Sequence, residues 1–333
     1  MDEALLTCSI CRTLVEEDDL FCPNCGAEAP PAPVSRGGQA ETPSATSSGP
    51  ALVLPHQFTC EGCGASMSFD PAVQSLRCPY CGSTKLEAEG PRKILKPEKL
   101  IPFEITSQEV EHRLRRYLSG TPFRPNDLLS EGTLVSARAV FVPCWVFSAN
   151  THTYWTADTD VLPPGSRGKW RPLFGEHQGR YDGMLIPASR VLQKEELQSI
   201  GSFDLRRAQD VRAEMLERFF VEVFTVPRKY ARQWAIEEIR RQEAEACRQL
   251  YLSGRIRNLR TNVRITHLTG RPILLPVWVL AYRYRGKLYR FVVNGQTGQV
   301  AGEVPISWLK VAAVVLVIFS VLVLLAMLAF RIL

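Results

Sequence analysis

Histidine is scarce in this chain, and the patterns of the common catalytic sites are missing. The five histidines among 333 residues are scattered, with no His-Glu-x-x-His pair that could hold a catalytic metal. No Gly-x-x-x-x-Gly-Lys-Ser/Thr loop is present to bind a nucleotide phosphate, and no nucleophile signature surrounds Cys144. These absences predict a protein that is not an enzyme, in which Cys144 and Cys247 are core thiols.

Cysteine is well represented, and eight of the ten cysteines form four Cys-x-x-Cys pairs. The pairs make two sets at zinc-ribbon spacing, which are Cys8, Cys11, Cys22 and Cys25, and then Cys60, Cys63, Cys78 and Cys81. A structural zinc ion takes four thiolates in a tetrahedron, and each two-residue knuckle supplies two of them. The pattern predicts two structural Zn²⁺ ions, one for each set of four cysteines.

Glycines favour this interpretation, and two alternatives stay open. Gly26, Gly64 and Gly82 each follow the second cysteine of a pair, where left-handed backbone wraps the thiolates. Disulfides would need an oxidising compartment. Cys78-Pro79-Tyr80-Cys81 also matches a glutaredoxin-like redox motif, although that motif normally lies between a strand and a helix.

The chain has a single long apolar run, from Val311 to Phe330. Twenty helical residues reach about 30 Å, the thickness of the hydrocarbon core of a bilayer. We therefore expect a C-terminal transmembrane helix. Because residues 1–8 show no signal-peptide pattern and zinc thiolates favour a reducing compartment, we expect a single-pass protein of the cell membrane with a cytoplasmic body.

Composition divides the rest of the chain and predicts an α+β fold, with a helix that begins at a Thr106-x-x-Glu109 capping box and a hairpin that turns at Arg285-Gly286-Lys287. The predicted segments are zinc ribbon 1 (1–26), a disordered Pro/Ser/Ala-rich linker (27–57), zinc ribbon 2 (58–85), a connector (86–101), an α+β body with an antiparallel sheet (102–307) and a membrane anchor (308–333). Val142-Pro143-Cys144-Trp145 is echoed by Leu275-Pro276-Val277-Trp278, which indicates an internal duplication. The duplicated tryptophans fit a core position, or a pair of related binding grooves.

Basic residues concentrate before the apolar run. Eleven Arg or Lys and one acid lie between Arg248 and Lys310, and Arg283, Arg285 and Arg290 are predicted to share a sheet face. Such a face could dock on anionic lipid headgroups, bind nucleic-acid phosphates, or be a solvated face with no ligand.

Six motifs together carry a resemblance to a known family. They are Cys60 to Cys81, Val142-Pro143-Cys144-Trp145, Pro187-Ala188-Ser189, Phe203-Asp204-Leu205, Leu275-Pro276-Val277-Trp278 and the segment from Phe291 to Gly298. With a C-terminal anchor, this combination resembles a family of bacterial membrane proteins with a TFIIB-type zinc ribbon, over roughly Phe58 to Leu333. The resemblance implies protein partners, among them SPFH/flotillin-like and phage-shock-A-like proteins.

These observations predict a non-enzymatic, tail-anchored adaptor that recruits protein partners at a membrane, in membrane stress or membrane organisation. The alternative is a membrane-tethered module that binds nucleic acid and acts in transcription or replication. The N-terminal ribbon and its linker are additions to the pattern of the family.

Overall fold

A computed structural model describes residues 57–69, 77–89, 97–120, 123–189 and 191–332, with short pieces at 6–7, 14–15, 52–53 and 93–95. The cysteines at 8, 11, 22 and 25 and most of the predicted linker lie outside these residues. The helices are α1 (Ser107–Ser119), α2 (Leu128–Glu131), α3 (Lys194–Ser199), α4 (Arg228–Tyr251) and α5 (Trp308–Ile332).

The described strands are mostly short, with three long exceptions. They are β1 (Leu6–Thr7), β2 (Leu14–Val15), β3 (Leu52–Val53), β4 (Gln57–Cys60), β5 (Ser66–Ser68), β6 (Leu86–Glu89), β7 (Lys93–Ile94), β8 (Lys99–Leu100), β9 (Thr133–Thr159), β10 (Arg171–Pro187), β11 (Gln209–Asp210), β12 (Phe220–Glu222), β13 (Ile256–Tyr284), β14 (Lys287–Asn294) and β15 (Val300–Gly302). The long strands are β9, β10 and β13, and β9 and β13 form one long antiparallel ladder at the centre.

The predicted fold class is wrong in two respects. Eleven of the described strands form one large mixed sheet, in the order β11-β8-β13-β9-β12-β5-β4-β6, with β10 paired to β9, β14 to β13, and β15 to β14. The sheet includes parallel pairs, β12 on β9 and β8 on β13, where an antiparallel sheet was expected. The strands of the second cysteine set belong to this same sheet, because β5 pairs with β12.

The second correction concerns the C-terminus. Side chains are described as far as Val323 within α5, and in this part of the chain no helix has the length and apolar content that a bilayer crossing requires. The predicted transmembrane helix is therefore wrong, and the predicted location at the cell membrane stays a prediction.

Local predictions from turn and cap residues are confirmed. Thr106 caps α1 in a complete capping box with Glu109. The predicted hairpin at Arg285-Gly286 joins β13 to β14, with Tyr284 opposite Lys287. Both turn residues have positive φ, 48° and 77°, as a two-residue turn of the type that matches strand twist requires.

The sequence echo marks a duplicated unit. The first unit is β8, α1, β9 and β10, and the second is β12, α4, β13 and β14. β12 pairs parallel with β9 at Val140 and Phe141, while β8 pairs parallel with β13 at the equivalent positions, Ile273 and Leu274. Each β-α piece therefore packs on the hairpin of the other unit, so the two units are interlocked.

The tryptophans of the echo hold this exchange in place. Trp145 Nε1 donates to the Val226 carbonyl at 2.9 Å, and Trp278 Nε1 donates to the Ile105 carbonyl at 3.1 Å. Val226 and Ile105 each precede the N-cap residue of a helix, α4 and α1 respectively. The duplicated tryptophans are thus core residues that fix the start of the other unit's helix.

Candidate metal centre and its link to the sheet

The four cysteines of the second set converge on one point. The Sγ atoms of Cys60, Cys63, Cys78 and Cys81 all lie within 4.8 Å of one another. Cys60 Sγ is 3.5 Å from Cys81 Sγ, and Cys63 Sγ is 3.5 Å from Cys78 Sγ. Four sulfurs at about 2.3 Å from a central ion would be about 3.8 Å apart in a tetrahedron. The donor set and its spacing therefore fit a four-coordinate metal.

The backbone of the two knuckles follows the same pattern. Gly64 N donates to the Cys60 carbonyl at 2.8 Å, and Gly82 N donates to the Cys78 carbonyl at 2.9 Å. The φ angles of these glycines are 72° and 74°, in the left-handed region that glycine adopts without strain. The two glycines are the structural reason why the pairs present their sulfurs on the same side.

Burial makes the Cys63 and Cys78 thiols poor acids in the absence of a cation. Burial raises the pKa of Cys63 to about 11 and also raises the pKa of Cys78. At Cys60 burial acts in the same direction, but hydrogen bonds from the backbone of Cys63 and Gly62 outweigh it and lower the pKa. A bound cation would supply the missing stabilisation of the thiolates, as metal binding to cysteine requires.

A buried polar network joins the second knuckle to the sheet. Tyr80, between Cys78 and Cys81, donates its hydroxyl to Glu222 Oε2 at 2.5 Å. Ser189 Oγ donates to Glu222 Oε1, also at 2.5 Å. Glu222 is only 1% exposed, and it lies on β12, the strand that pairs with β5 of the ribbon.

The position of Glu222 changes its acidity. Burial raises its pKa to about 7, against the opposing effects of the Ser189 and Tyr80 hydroxyls and of the nearby Arg290. The Arg290 guanidinium lies 5.3 Å from the centre of the Tyr80 ring, a cation–π contact. The knuckle, the carboxyl group and the arginine form one cluster between the cysteines and the sheet.

The structure places the three predicted basic-patch residues in different surroundings. Arg290 Nη2 is 3.1 Å from Glu196 Oε2, and only 29% of its side chain is exposed. Arg285 lies in the hairpin turn and pairs with Asp127 at 2.6 Å. Arg283 is exposed and has no ion pair in the part of the chain that the structure describes. A lipid-docking role for the three arginines stays a prediction.

The Asn294-Gly295-Gln296-Thr297-Gly298 motif forms a turn with a buried centre. Asn294 Oδ1 accepts from the backbone of Gln296 and Thr297, and its Nδ2 donates to the Ile200 and Ser202 carbonyls. Gln296 Oε1 accepts from Asp204 N, within the Phe203-Asp204-Leu205 motif, at 2.8 Å. Two motifs of the resemblance are thus joined to each other, and their visible role is structural.

Three buried carboxylates of the described residues were missed from the sequence, Glu222, Glu238 and Glu243. Glu222 interrupts the apolar run from Phe219 to Phe224, and that interruption is the signal that could have identified it. Glu243 on α4 accepts hydrogen bonds from Thr151, Thr153 and Tyr181. Burial works against its ionisation, but these hydroxyl donors lower its pKa. Nothing in the helical pattern around Glu243 distinguishes it from its exposed neighbours.

Comparisons with known proteins add one distant relative. The chain is 25% identical over 322 residues to an uncharacterized protein of Bacillus subtilis (strain 168), YdjG, covering 77% of this chain and 92% of that protein. No family model matches the chain, and no solved structure matches it. The geometry of the site therefore carries the functional argument.

Proposed function

We propose that this chain is a non-enzymatic adaptor in which the cluster of Cys60, Cys63, Cys78 and Cys81 holds one structural zinc ion. The convergence of these four sulfurs within 4.8 Å carries the proposal. Four cysteines fill the tetrahedral shell of zinc, which leaves no position for water or substrate. Soft thiolate ligands also favour zinc over magnesium or calcium.

The connection between ribbon and sheet favours a scaffolding role. β5 pairs with β12, and Tyr80 is hydrogen-bonded to Glu222 on that strand. A metal at the cysteines would therefore hold the ribbon in a defined position on the large sheet. We propose that the ribbon and the sheet together present a surface for a protein partner, with SPFH/flotillin-like and phage-shock-A-like proteins as the candidates implied by the family resemblance.

Metal analysis tests the first half of the proposal. The full chain, purified under reducing conditions, should lose one equivalent of zinc when Cys60 and Cys81 are both changed to serine. Cys247→Ala is the matched control, since Cys247 is a buried thiol of α4 outside the cluster. Equal zinc contents in the wild type and the Cys60/Cys81 variant would overturn the assignment.

Co-purification tests the second half. The tagged full chain and each candidate partner are produced together and captured under reducing conditions. We expect retention by the wild type and by Cys247→Ala, and at least tenfold less by the Cys60/Cys81 variant. Loss of zinc without any change in partner retention would separate the metal site from recruitment and would refute the adaptor role of the ribbon.

A further inference from the structure

The outer half of the β9, β10 and β13 ladder, at residues 150–159 of β9, has two faces that differ in burial. Helix α4 covers one face, where Thr151, Thr153 and Trp155 are buried and Glu243 of the helix bonds to both threonines. The alternate residues of β9, His152, Tyr154 and Thr156, point the other way. Tyr154 is 49% exposed on that second side.

The second face continues the side of the sheet on which the ribbon packs. Successive even-numbered residues of β9 share this side. Its inner members, Val140, Val142 and Cys144, lie in one apolar cluster with Cys60 and Tyr80 of the ribbon. Its outer part is exposed, and we name this outer part the open face. It is defined by His152, Tyr154, Phe174, Arg180, Arg260 and Arg264.

Register brings these residues from three strands together. Arg264 pairs with His152 and Arg260 with Thr156 across β13 and β9. Glu176 lies opposite Tyr154, and Arg180 lies opposite Asn150, across β10 and β9. The open face is therefore a three-stranded surface with Arg180 on β10 and with Arg260 and Arg264 on β13, on either side of the central strand β9.

The charges on this face are largely unpaired. Arg180, Arg260 and Arg264 are exposed and have no ion pair within the described residues, whereas Arg257 nearby is 3.1 Å from Asp158. The acid among them, Glu176, is 2.8 Å from His152 Nε2. At the inner end of the open face, the positive charge of Arg271 is offset by the negative charge of Asp182. Three unpaired arginines on one face favour an anionic partner.

Aromatic side chains are exposed between these charges. Phe174 is 86% exposed, and since it is opposite Thr156 it is a diagonal neighbour of Tyr154. Diagonal neighbours in such a ladder are about 7–8 Å apart. Tyr154 is also stacked on His152, with ring centres 4.7 Å apart. On a sheet of this kind, the bases of a single-stranded nucleic acid can stack on the exposed rings while its phosphates contact the basic residues.

We propose that the open face binds single-stranded nucleic acid. Its bases stack on Tyr154 and Phe174, and its phosphates contact Arg180, Arg260 and Arg264. The strand would lie on the side of the sheet on which the cysteine cluster packs. This activity goes beyond the adaptor role, and it does not depend on the identity of the adaptor's protein partner.

Fluorescence anisotropy with the full chain and a labelled 12-nucleotide dT oligomer tests the proposal. We expect the oligomer to bind, and we expect the logarithm of the binding constant to fall linearly with the logarithm of the salt concentration. The slope should be about −0.7 per phosphate contact on a single strand. Arg260→Gln and Arg264→Gln should each weaken binding and lower the slope by about 0.7. Phe174→Ala should weaken binding about tenfold or more with little change of slope.

Matched controls separate this face from general charge and apolar exposure. Arg283→Gln removes an exposed arginine of the β13–β14 hairpin that has no ion pair among the described residues, and Tyr230→Ala removes a ring on α4 that is 48% exposed. Both should bind like the wild type. Absence of oligomer binding, or equal binding by the open-face variants, would overturn the proposal. Binding to anionic lipid vesicles in place of the oligomer, lost in the same variants, would also overturn it in favour of a lipid.

Discussion

The two interlocked units share a backbone plan and differ in chemistry at one telling position. In the first unit, β8 is followed by Ile101, which is fully buried among apolar side chains. In the second unit, β12 has Glu222 at the equivalent place, and this carboxyl group is only 1% exposed. The same position thus holds an apolar side chain in one unit and a buried acid in the other.

The difference follows from what packs beside each unit. Glu222 accepts hydrogen bonds from the hydroxyl groups of Tyr80, in the knuckle, and of Ser189, so the buried acid has two donors. Ile101 has no polar group to satisfy, and it only fills the core. A buried acid without partners costs far more than an apolar residue, so Glu222 is tolerable because the ribbon is in place. The comparison indicates that the second unit is adapted to hold the ribbon.

The largest effect should come from breaking the metal centre. Changing Cys60 and Cys81 to serine removes two ligands from a site whose metal contributes on the order of 10 kcal/mol in small zinc domains. We expect the amides of Cys60, Gly64, Cys78 and Gly82 to lose hydrogen-exchange protection by more than about 1000-fold, while α4 and the outer ladder stay protected. Cys247→Ala serves as the control and should leave the ribbon amides unchanged.

The next effect should come from converting the second unit to the chemistry of the first. Glu222→Ile leaves the Tyr80 and Ser189 hydroxyls without their acceptor, at a cost of about 2–4 kcal/mol. Adding Tyr80→Phe removes one of the two orphaned groups and should recover part of this loss. Ile101→Val, a mild change in the other unit, should cost about 1 kcal/mol. Denaturant unfolding at fixed zinc measures all three, and an additive double variant would refute the coupling.

A pH series should sharpen the comparison further. Because the folded pKa of Glu222 is about 7, above the ordinary value of 4.5, the folded protein holds a proton that the unfolded chain releases. Its contribution to stability is therefore complete below about pH 4.5 and is lost as pH rises through 7, at up to about 1.4 kcal/mol per pH unit. Relative to Glu222→Gln, the free energy of unfolding of the wild type should fall between pH 5.5 and 7. Above pH 8 the two curves of unfolding free energy against pH should be parallel. Parallel curves throughout would contradict the assignment.

The smallest effects should come from the exchanged tryptophans. Trp145→Phe and Trp278→Phe each remove one indole N–H from a backbone carbonyl, at Val226 and Ile105 respectively. We expect each to cost about 1–2 kcal/mol in unfolding free energy, with Trp145→Phe the larger because Trp145 is only 4% exposed. Trp234→Phe, which replaces an exposed ring elsewhere, should change the free energy of unfolding by less than about 0.5 kcal/mol.

The sequence predicted what depends on neighbours along the chain. Three features of this kind are the knuckle glycines, the Thr106 cap and the Arg285-Gly286 turn. The backbone conformation of each depends on residues that are adjacent in the sequence. Pairing of β5 with β12, and of β12 with β9, joins segments far apart in the chain, which no periodicity encodes. The apolar C-terminal run predicted a transmembrane helix, but no helix among the described residues meets the requirements of a bilayer crossing.

The buried acid was missed for a related reason. Glu222 is a single charge in a strand, and only its distant partners Tyr80 and Ser189 explain why it is there. The division of the chain into ribbons, linkers and body stays a prediction. So does the first cysteine set, because Cys8, Cys11, Cys22 and Cys25 lie outside the described residues.

X-ray absorption at the zinc edge tests the central claim most directly. The full chain with Cys8 and Cys22 changed to serine reports on the second cysteine set alone. The account predicts one zinc ion per chain with four sulfur ligands at about 2.3 Å and no nitrogen or oxygen ligand. A chain without zinc, with Cys60, Cys63, Cys78 and Cys81 joined in disulfides under reducing purification, would contradict it.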